Sequence, residues 1–113
     1  MDILVHEHAT NNGKWLEIVL NRPSKLNACT LEMSQKCQQI LLESASDPEI
    51  IALLISGAGD KAFCSGGDQS VRGDKGYVGS DGVPRLNILD VQKQIRYLPK
   101  PVIAMVSGYA VGG

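Results

Sequence analysis

Two unbroken apolar runs, Ile50-Ile51-Ala52-Leu53-Leu54-Ile55 and Val102-Ile103-Ala104-Met105-Val106, constrain this chain more than any other feature. A strand wetted on one face alternates apolar and polar residues. A short run without alternation fits a strand buried on both faces, as in a parallel sheet. Parallel neighbours need a crossover, and Leu86, Leu89, Val91 and Ile95 form an imperfect helical stripe between the runs, stopped by Pro99-Lys100-Pro101. Upstream, Ile3 to His8 alternates and Trp15 to Leu20 is rich in β-formers; Asn11-Asn12-Gly13-Lys14 between them predicts a hairpin. Asn21-Arg22-Pro23-Ser24 ends the second strand, because proline removes a ladder donor. Thr30 is the expected N-cap of a first helix, with Glu32 in its first turn. Met33, Cys37, Ile40 and Leu41 fall at i, i+4, i+7 and i+8, and Asp47-Pro48 closes the helix. The order ββ-α-β-loop-α-β predicts an α/β fold with right-handed crossovers.

The chain has 113 residues, room for one small domain, and 43% of them are hydrophobic, enough for a core. Eleven basic and twelve acidic residues give a net charge of −1, which argues against nucleic acid or an anionic membrane as partner. No apolar run approaches the ~20 residues that span a bilayer. Met1-Asp2 is not followed by a charged and then apolar leader. Cys29, Cys37 and Cys64 are odd in number and lack CxxC spacing, so a disulfide framework or metal site is not expected and a reducing cytoplasm is. Gly112-Gly113 directly follows an apolar strand, so residues 1–113 read as the N-terminal part of a larger domain whose C-terminal part is absent.

Each apolar run leads into glycines: Phe63-Cys64-Ser65-Gly66-Gly67-Asp68 after the first, Gly108-Tyr109-Ala110-Val111-Gly112-Gly113 after the second. Neighbouring parallel strands end at one sheet edge, where open α/β sheets bind ligands. Glycine lets backbone approach a ligand closely. Two N–H groups aimed at one point make an oxyanion hole, each worth roughly 3 kcal/mol in the transition state. Glycine pairs after strands are more often plain turns, and neither segment matches GxGxxG or a P-loop. The pair therefore points to an anion or oxyanion site and names no substrate. Ser65 to Pro84 holds six glycines without periodicity and reads as a long functional loop.

Asn21-Arg22-Pro23 with Leu26-Asn27-Ala28, then Ala62 to Asp68, then Lys100 to Ala104 with Gly108 to Gly113, is similar to the crotonase (enoyl-CoA hydratase/isomerase) superfamily, in its order and spacing. Ser65-Gly66-Gly67-Asp68-Gln69, Val71 to Asp74, Gly76-Tyr77, Pro84 to Asp90 and Gln94-Ile95-Arg96 resemble its 1,4-dihydroxy-2-naphthoyl-CoA synthase branch. The resemblance implies a ββα spiral that begins with a hairpin. It also implies an acyl-CoA substrate, no covalently bound cofactor, and bicarbonate in the full-length family member. Homo-oligomers, trimers or hexamers, are implied as well. The N–H groups of Gly67 and Gly113 would form the oxyanion hole, and Tyr77 would place or protonate the substrate. Ser65, Gly66, Gly67, Asp68 and Gln69 would line the acyl pocket with Tyr109, Ala110, Val111, Gly112 and Gly113. Lys25 to Ala28 would lie near the CoA adenine and phosphates. The implied reaction is ring closure of succinylbenzoyl-CoA in menaquinone biosynthesis through an enolate. Other crotonase reactions, enoyl-CoA hydration or 2-ketocyclohexanecarboxyl-CoA hydrolysis, stand beside it, as does a non-catalytic CoA-binding fragment. Ser70 stands where the branch usually has Lys, and Thr30 where it often has Arg.

Other residues carry weaker signals. His6 and His8 precede both glycine turns and read as solvated or edge positions. Asp68 could be a base but fits a loop hydrogen bond better. Cys64 shows no sequence partner that would lower its pKa and reads as structural. Arg72-Gly73-Asp74 spells an adhesion tripeptide by coincidence, and Lys36, Lys61 and Lys75 read as surface charges.

Overall fold

The computed structural model describes residues 1–68, 72–73, 76–78, 84–85 and 87–113, the short segments between 72 and 87 as backbone alone. Strands β1 (Ile3–Thr10) and β2 (Gly13–Leu20) form the expected hairpin, with Ile3 opposite Leu20 and Thr10 opposite Gly13. Each strand runs two residues farther toward the turn than the alternation suggests. His6 is exposed and His8 half-buried on this outer strand, and the His8 ring stacks on Trp15 at 3.9 Å.

Helix α1 (Leu31–Ser46) starts where Thr30 Oγ1 accepts the Met33 N–H at 3.2 Å. Met33, Cys37, Ile40 and Leu41 are all buried along the predicted face. At the other end the Lys100 ammonium donates to the carbonyls of Ser44 and Asp47, supplying a cation to the negative pole of the helix dipole. This lysine arrives from 53 residues away in sequence.

Strand β3 (Ile50–Gly57) follows, then β4 (Ala62–Cys64), β5 (Arg72–Gly73), β6 (Gly76–Val78) and β7 (Pro84–Arg85). Helix α2 (Asn87–Tyr97), β8 (Val102–Met105) and β9 (Tyr109–Ala110) complete the chain. The main sheet has the order β1-β2-β3-β8, and β3 is parallel to both β2 and β8. The register Leu53 to Val102 through Ser56 to Met105 brings the ends of both apolar runs to one edge, as their composition predicts. Leu16, Ile18 and Leu20 of β2 and Leu53 of β3 pack with Met33 and Leu41 of α1 and Val91 of α2. Each is at most 6% exposed, so each contributes about 1.5–3 kcal/mol through its apolar surface.

Three expectations change. The second apolar run is buried on neither face: Val102 packs partly on the core, while Ile103 and Met105 are each 53% exposed, because β8 pairs with β3 along one edge only and no described element covers the face that carries them. In β3, Ile51 is likewise 40% exposed. The α2 stripe is Ile88, Val91 and Ile95, with Leu89 turned outward, and Leu86 falls outside the described residues. The segment read as one irregular loop carries a small antiparallel sheet, β5-β6-β7, with Tyr77 opposite Arg72 and Arg85. No helix among the described residues is long and apolar enough to cross a membrane.

Candidate functional site

The two glycine turns are tied together by a second sheet that no sequence period announces. Strands β4 and β9 run parallel, with Ala62 opposite Tyr109 and Cys64 opposite Ala110. The Tyr109 N–H donates to the Lys61 carbonyl at 3.1 Å and the Val111 N–H to the Cys64 carbonyl at 2.9 Å. Gly108, at φ +76°, permits this approach: a β-carbon there would lie 2.2 Å from the Lys61 oxygen. Farther along, a β-carbon on Gly66 (φ +104°) would lie 3.2 Å from the Val111 oxygen, and one on Gly112 would lie 3.2 Å from the Gly66 Cα. The turns therefore touch backbone to backbone.

Most amides of these turns are already committed. Ser65 N–H donates to Leu26 O at 3.1 Å, Gly66 N–H to Cys64 Sγ at 3.4 Å, and Asp68 N–H to Cys29 O at 2.9 Å. The amides of Gly67, Gly112 and Gly113 donate to no group among the described residues. Cys29 brackets Gly67, since its own N–H donates to Gly66 O at 2.8 Å. Helix α2 holds the other turn: Gln92 Nε2 donates to Gly113 O at 2.7 Å, and a β-carbon on Gly113 would lie 2.8 Å from Ile88 Cγ1.

Behind the first turn sits a buried polar clamp. Arg22 Nη1 lies 2.8 Å from Asp68 Oδ2 and donates to Ala28 O at 2.6 Å. The Asp68 carboxylate, expected to bond the loop backbone, is thus paired with a guanidinium. Asn27, fully buried at φ +56°, accepts the Arg22 N–H at 2.8 Å and donates to Ala58 O at 3.0 Å and Ala62 O at 2.8 Å. Arg22 and Asn27 belong to the motif read from the sequence, but their work as a clamp was not deduced there. Lys25 ends a 3₁₀ turn (Pro23–Lys25) and is exposed, while Ala28 is half-buried. Beside them a cavity of about 220 Å³ is lined by Pro23, Leu26, Asn27, Gly59, Lys61 and Ala62, among others.

A second cavity, about 280 Å³, opens between the sheet, both helices and the second turn. Ala110, Val111, Gly112 and Gly113 line it with Met33, Phe63, Ile88, Val91 and all three cysteines. Ser65, Gly66, Gly67 and Asp68 do not, since that turn leans on Leu26 and Cys29; Tyr109 is 66% exposed and does not either. Gln69 and the Tyr77 side chain lie outside the described residues. Among the described residues, no three His, Cys, Asp or Glu side chains are grouped to hold a metal ion.

Cys64 does have a partner: Cys29 Sγ lies 3.6 Å from Cys64 Sγ, across 35 residues of sequence. The hydrogen bond shared with Cys29, and then the one from the Gly66 N–H, hold Cys64 below the ordinary thiol range despite burial. The same pairing, with burial, pushes Cys29 far above it. Burial alone pushes Cys37 up to about 11.

Residues 10–113 match the enoyl-CoA hydratase/isomerase family. Among similar solved structures, the enoyl-CoA hydratase from Bacillus anthracis is 29% identical with a TM-score of 0.67, over 96% of this chain and 40% of that one. An enoyl-CoA hydratase/isomerase from Xanthobacter autotrophicus is 29% identical with a TM-score of 0.75, over 96% and 39%. A putative short chain enoyl-CoA hydratase from Novosphingobium aromaticivorans is 31% identical with a TM-score of 0.67, over 100% and 41%. The chain spans about two fifths of the length of these structures. With both glycine turns inside the matched region, the chain belongs to the enoyl-CoA hydratase/isomerase (crotonase) family.

Proposed function

We propose that this chain provides the thioester-polarising part of an acyl-CoA enzyme, with the Gly67 and Gly113 amides receiving the thioester oxygen. The observation that carries the reading is that the amides of Gly67 on one turn and Gly112 and Gly113 on the other donate to no group among the described residues, on turns in backbone contact beside an apolar cavity. Negative charge gathers on that oxygen when a proton leaves the α-carbon. Donors aimed there lower the barrier by roughly 3 kcal/mol each and bind the ground state less strongly. Ala110 to Gly113 and the apolar wall would hold the acyl group. The cavity beside Leu26 and Lys61, with Lys25 to Ala28, would hold the adenine and phosphate end of CoA.

The reaction we assign is ring closure of succinylbenzoyl-CoA to 1,4-dihydroxy-2-naphthoyl-CoA, supported by the sequence from Ser65 to Arg96. A base removes the α-proton, the enolate carbon attacks the carboxyl of the neighbouring arm, and water leaves. Tyr77 would place or protonate the substrate. No carboxylate or imidazole lines the apolar cavity among the described residues. We assign the enzyme to the cytoplasm as a homo-oligomer. Enoyl-CoA hydration is the second reading, favoured by the names of the similar structures. It needs the same polarised carbonyl.

The test incubates the protein separately with succinylbenzoyl-CoA and crotonyl-CoA, following naphthoyl product or loss of the enoyl chromophore. Naphthoyl product is expected from the first. Hydration alone would transfer the assignment to the second reading, and CoA binding without turnover would favour a non-catalytic module. Gly67→Pro deletes one donor; near-wild-type turnover in that variant, with its circular dichroism intact, refutes the proposed hole.

A further inference from the structure

The cavity wall contains two sulfurs that the proposed reaction does not use. Cys29 precedes the Thr30 cap of α1 and Cys64 ends β4, and the fold brings their Sγ atoms to 3.6 Å. A disulfide bond is about 2.0 Å long, so a closure of about 1.5 Å joins them. Both are half-buried and line a cavity that a small oxidant can enter. Cys37 lines the same cavity but is buried, and burial holds it as a thiol. Cys64 Sγ accepts a hydrogen bond from the Gly66 amide at 3.4 Å and shares a proton with Cys29 Sγ at 3.6 Å, where either sulfur can donate; with Cys29 as the donor, Cys64 is the thiolate and Cys29 the protonated thiol beside it. A nucleophilic sulfur beside a resolving one is the pairing found where a thiol is oxidised reversibly.

We propose that Cys29 and Cys64 are a reversible dithiol site for hydroperoxides, whose disulfide acts as a lock on the Gly66-Gly67 turn. The Cys64 thiolate attacks one peroxide oxygen, the O–O bond breaks, and hydroxide leaves with the electron pair. Cys64 is then a sulfenic acid. Its sulfur no longer accepts the Cys29 proton as a thiolate did. Cys29 sulfur attacks Cys64 sulfur, the S–O bond breaks, and the departing oxygen takes the Cys29 proton. Two thiols and one hydrogen peroxide become one disulfide and two waters. A dithiol reductant reverses the bond by exchange.

The lock follows from the hydrogen bonds around Gly67. Cys29 holds Gly66 O with its amide and the Asp68 N–H with its carbonyl, and the Gly66 N–H rests on Cys64 Sγ. Drawing the sulfurs together removes the thiolate acceptor from Gly66 and displaces the Cys29 backbone that brackets Gly67. The effect on acyl-CoA rests on the proposed function above, whereas disulfide formation does not.

The experiment treats the protein with one equivalent of hydrogen peroxide and maps disulfides by mass spectrometry, in wild type and in Cys37→Ser. A Cys29–Cys64 cross-link is expected in both, reversed by dithiothreitol and absent from Cys29→Ser and Cys64→Ser. Absence of that cross-link, or cross-linking only through Cys37, overturns the dithiol site. Calorimetry with crotonyl-CoA on the reduced and oxidised protein tests the lock. Affinity is expected to fall by about tenfold or more on oxidation and to return on reduction. Equal affinities overturn the lock. A reduced protein that binds no acyl-CoA overturns the functional reading and the lock together, with the cross-link still deciding the dithiol site.

Discussion

Replacing Asn27 by Ala tests the clamp that holds the first glycine turn. The carboxamide is fully buried and makes three hydrogen bonds, one accepted from the Arg22 N–H and two donated to Ala58 O and Ala62 O. Truncation leaves a part-buried donor, a part-buried acceptor and a buried acceptor unpaired. At about 1 kcal/mol each the loss is about 3 kcal/mol. Asn27 also sits at φ +56°, where alanine adds about 1 kcal/mol of strain that asparagine tolerates better. The expected destabilisation of Asn27→Ala is therefore about 4 kcal/mol, a large share of the 5–15 kcal/mol typical of a domain. Asn27→Gly removes the same hydrogen bonds without the strain, so it should lose about 3 kcal/mol and be the more stable variant. Urea unfolding followed by circular dichroism and by the single tryptophan, Trp15, reads both values at unchanged m. A loss below about 1 kcal/mol for alanine, or a glycine variant less stable than the alanine one, refutes the clamp.

Two further perturbations probe the same framework. Arg22→Met takes the guanidinium from Asp68, whose side chain is only 10% exposed, and should cost about 3 kcal/mol in thermal unfolding. Adding Asp68→Asn should recover part of that loss; a double variant no more stable than Arg22→Met would show that the buried charge is not the cause. Gly108→Ala places a β-carbon 2.2 Å from Lys61 O at a positive φ and should separate β4 from β9. The amides of Tyr109 and Val111 should then lose hydrogen-exchange protection, with about 3 kcal/mol of destabilisation; unchanged protection would contradict the close approach.

Elements with a clear local period were legible. The hairpin, the buried face of α1, and the parallel pairing of β3 with β8 follow from alternation, the 3.6-residue stripe and unbroken apolar runs. The β4–β9 ladder was not, because strands of three and two residues are too short to carry a period. The small sheet β5-β6-β7 escaped for the same reason. In β8, apolar composition records what a strand can bury, while cover depends on elements elsewhere. Arg22, Asn27 and Gln92 gave no chemical signal because their partners, Asp68, Ala62 and Gly113, lie far along the chain.

By itself the sequence determined the types of the longer elements, the family resemblance and the two glycine turns at one sheet edge. Local sterics and hydrophobic periodicity act over a few residues and are written directly in the residue order. Only the tertiary structure decided that the turns touch, that the Gly67 and Gly113 amides donate to no group among the described residues, and that Cys29 meets Cys64. Those facts depend on ångström-scale contacts between segments tens of residues apart, where packing of the sheet against α1 and α2 sets the distances.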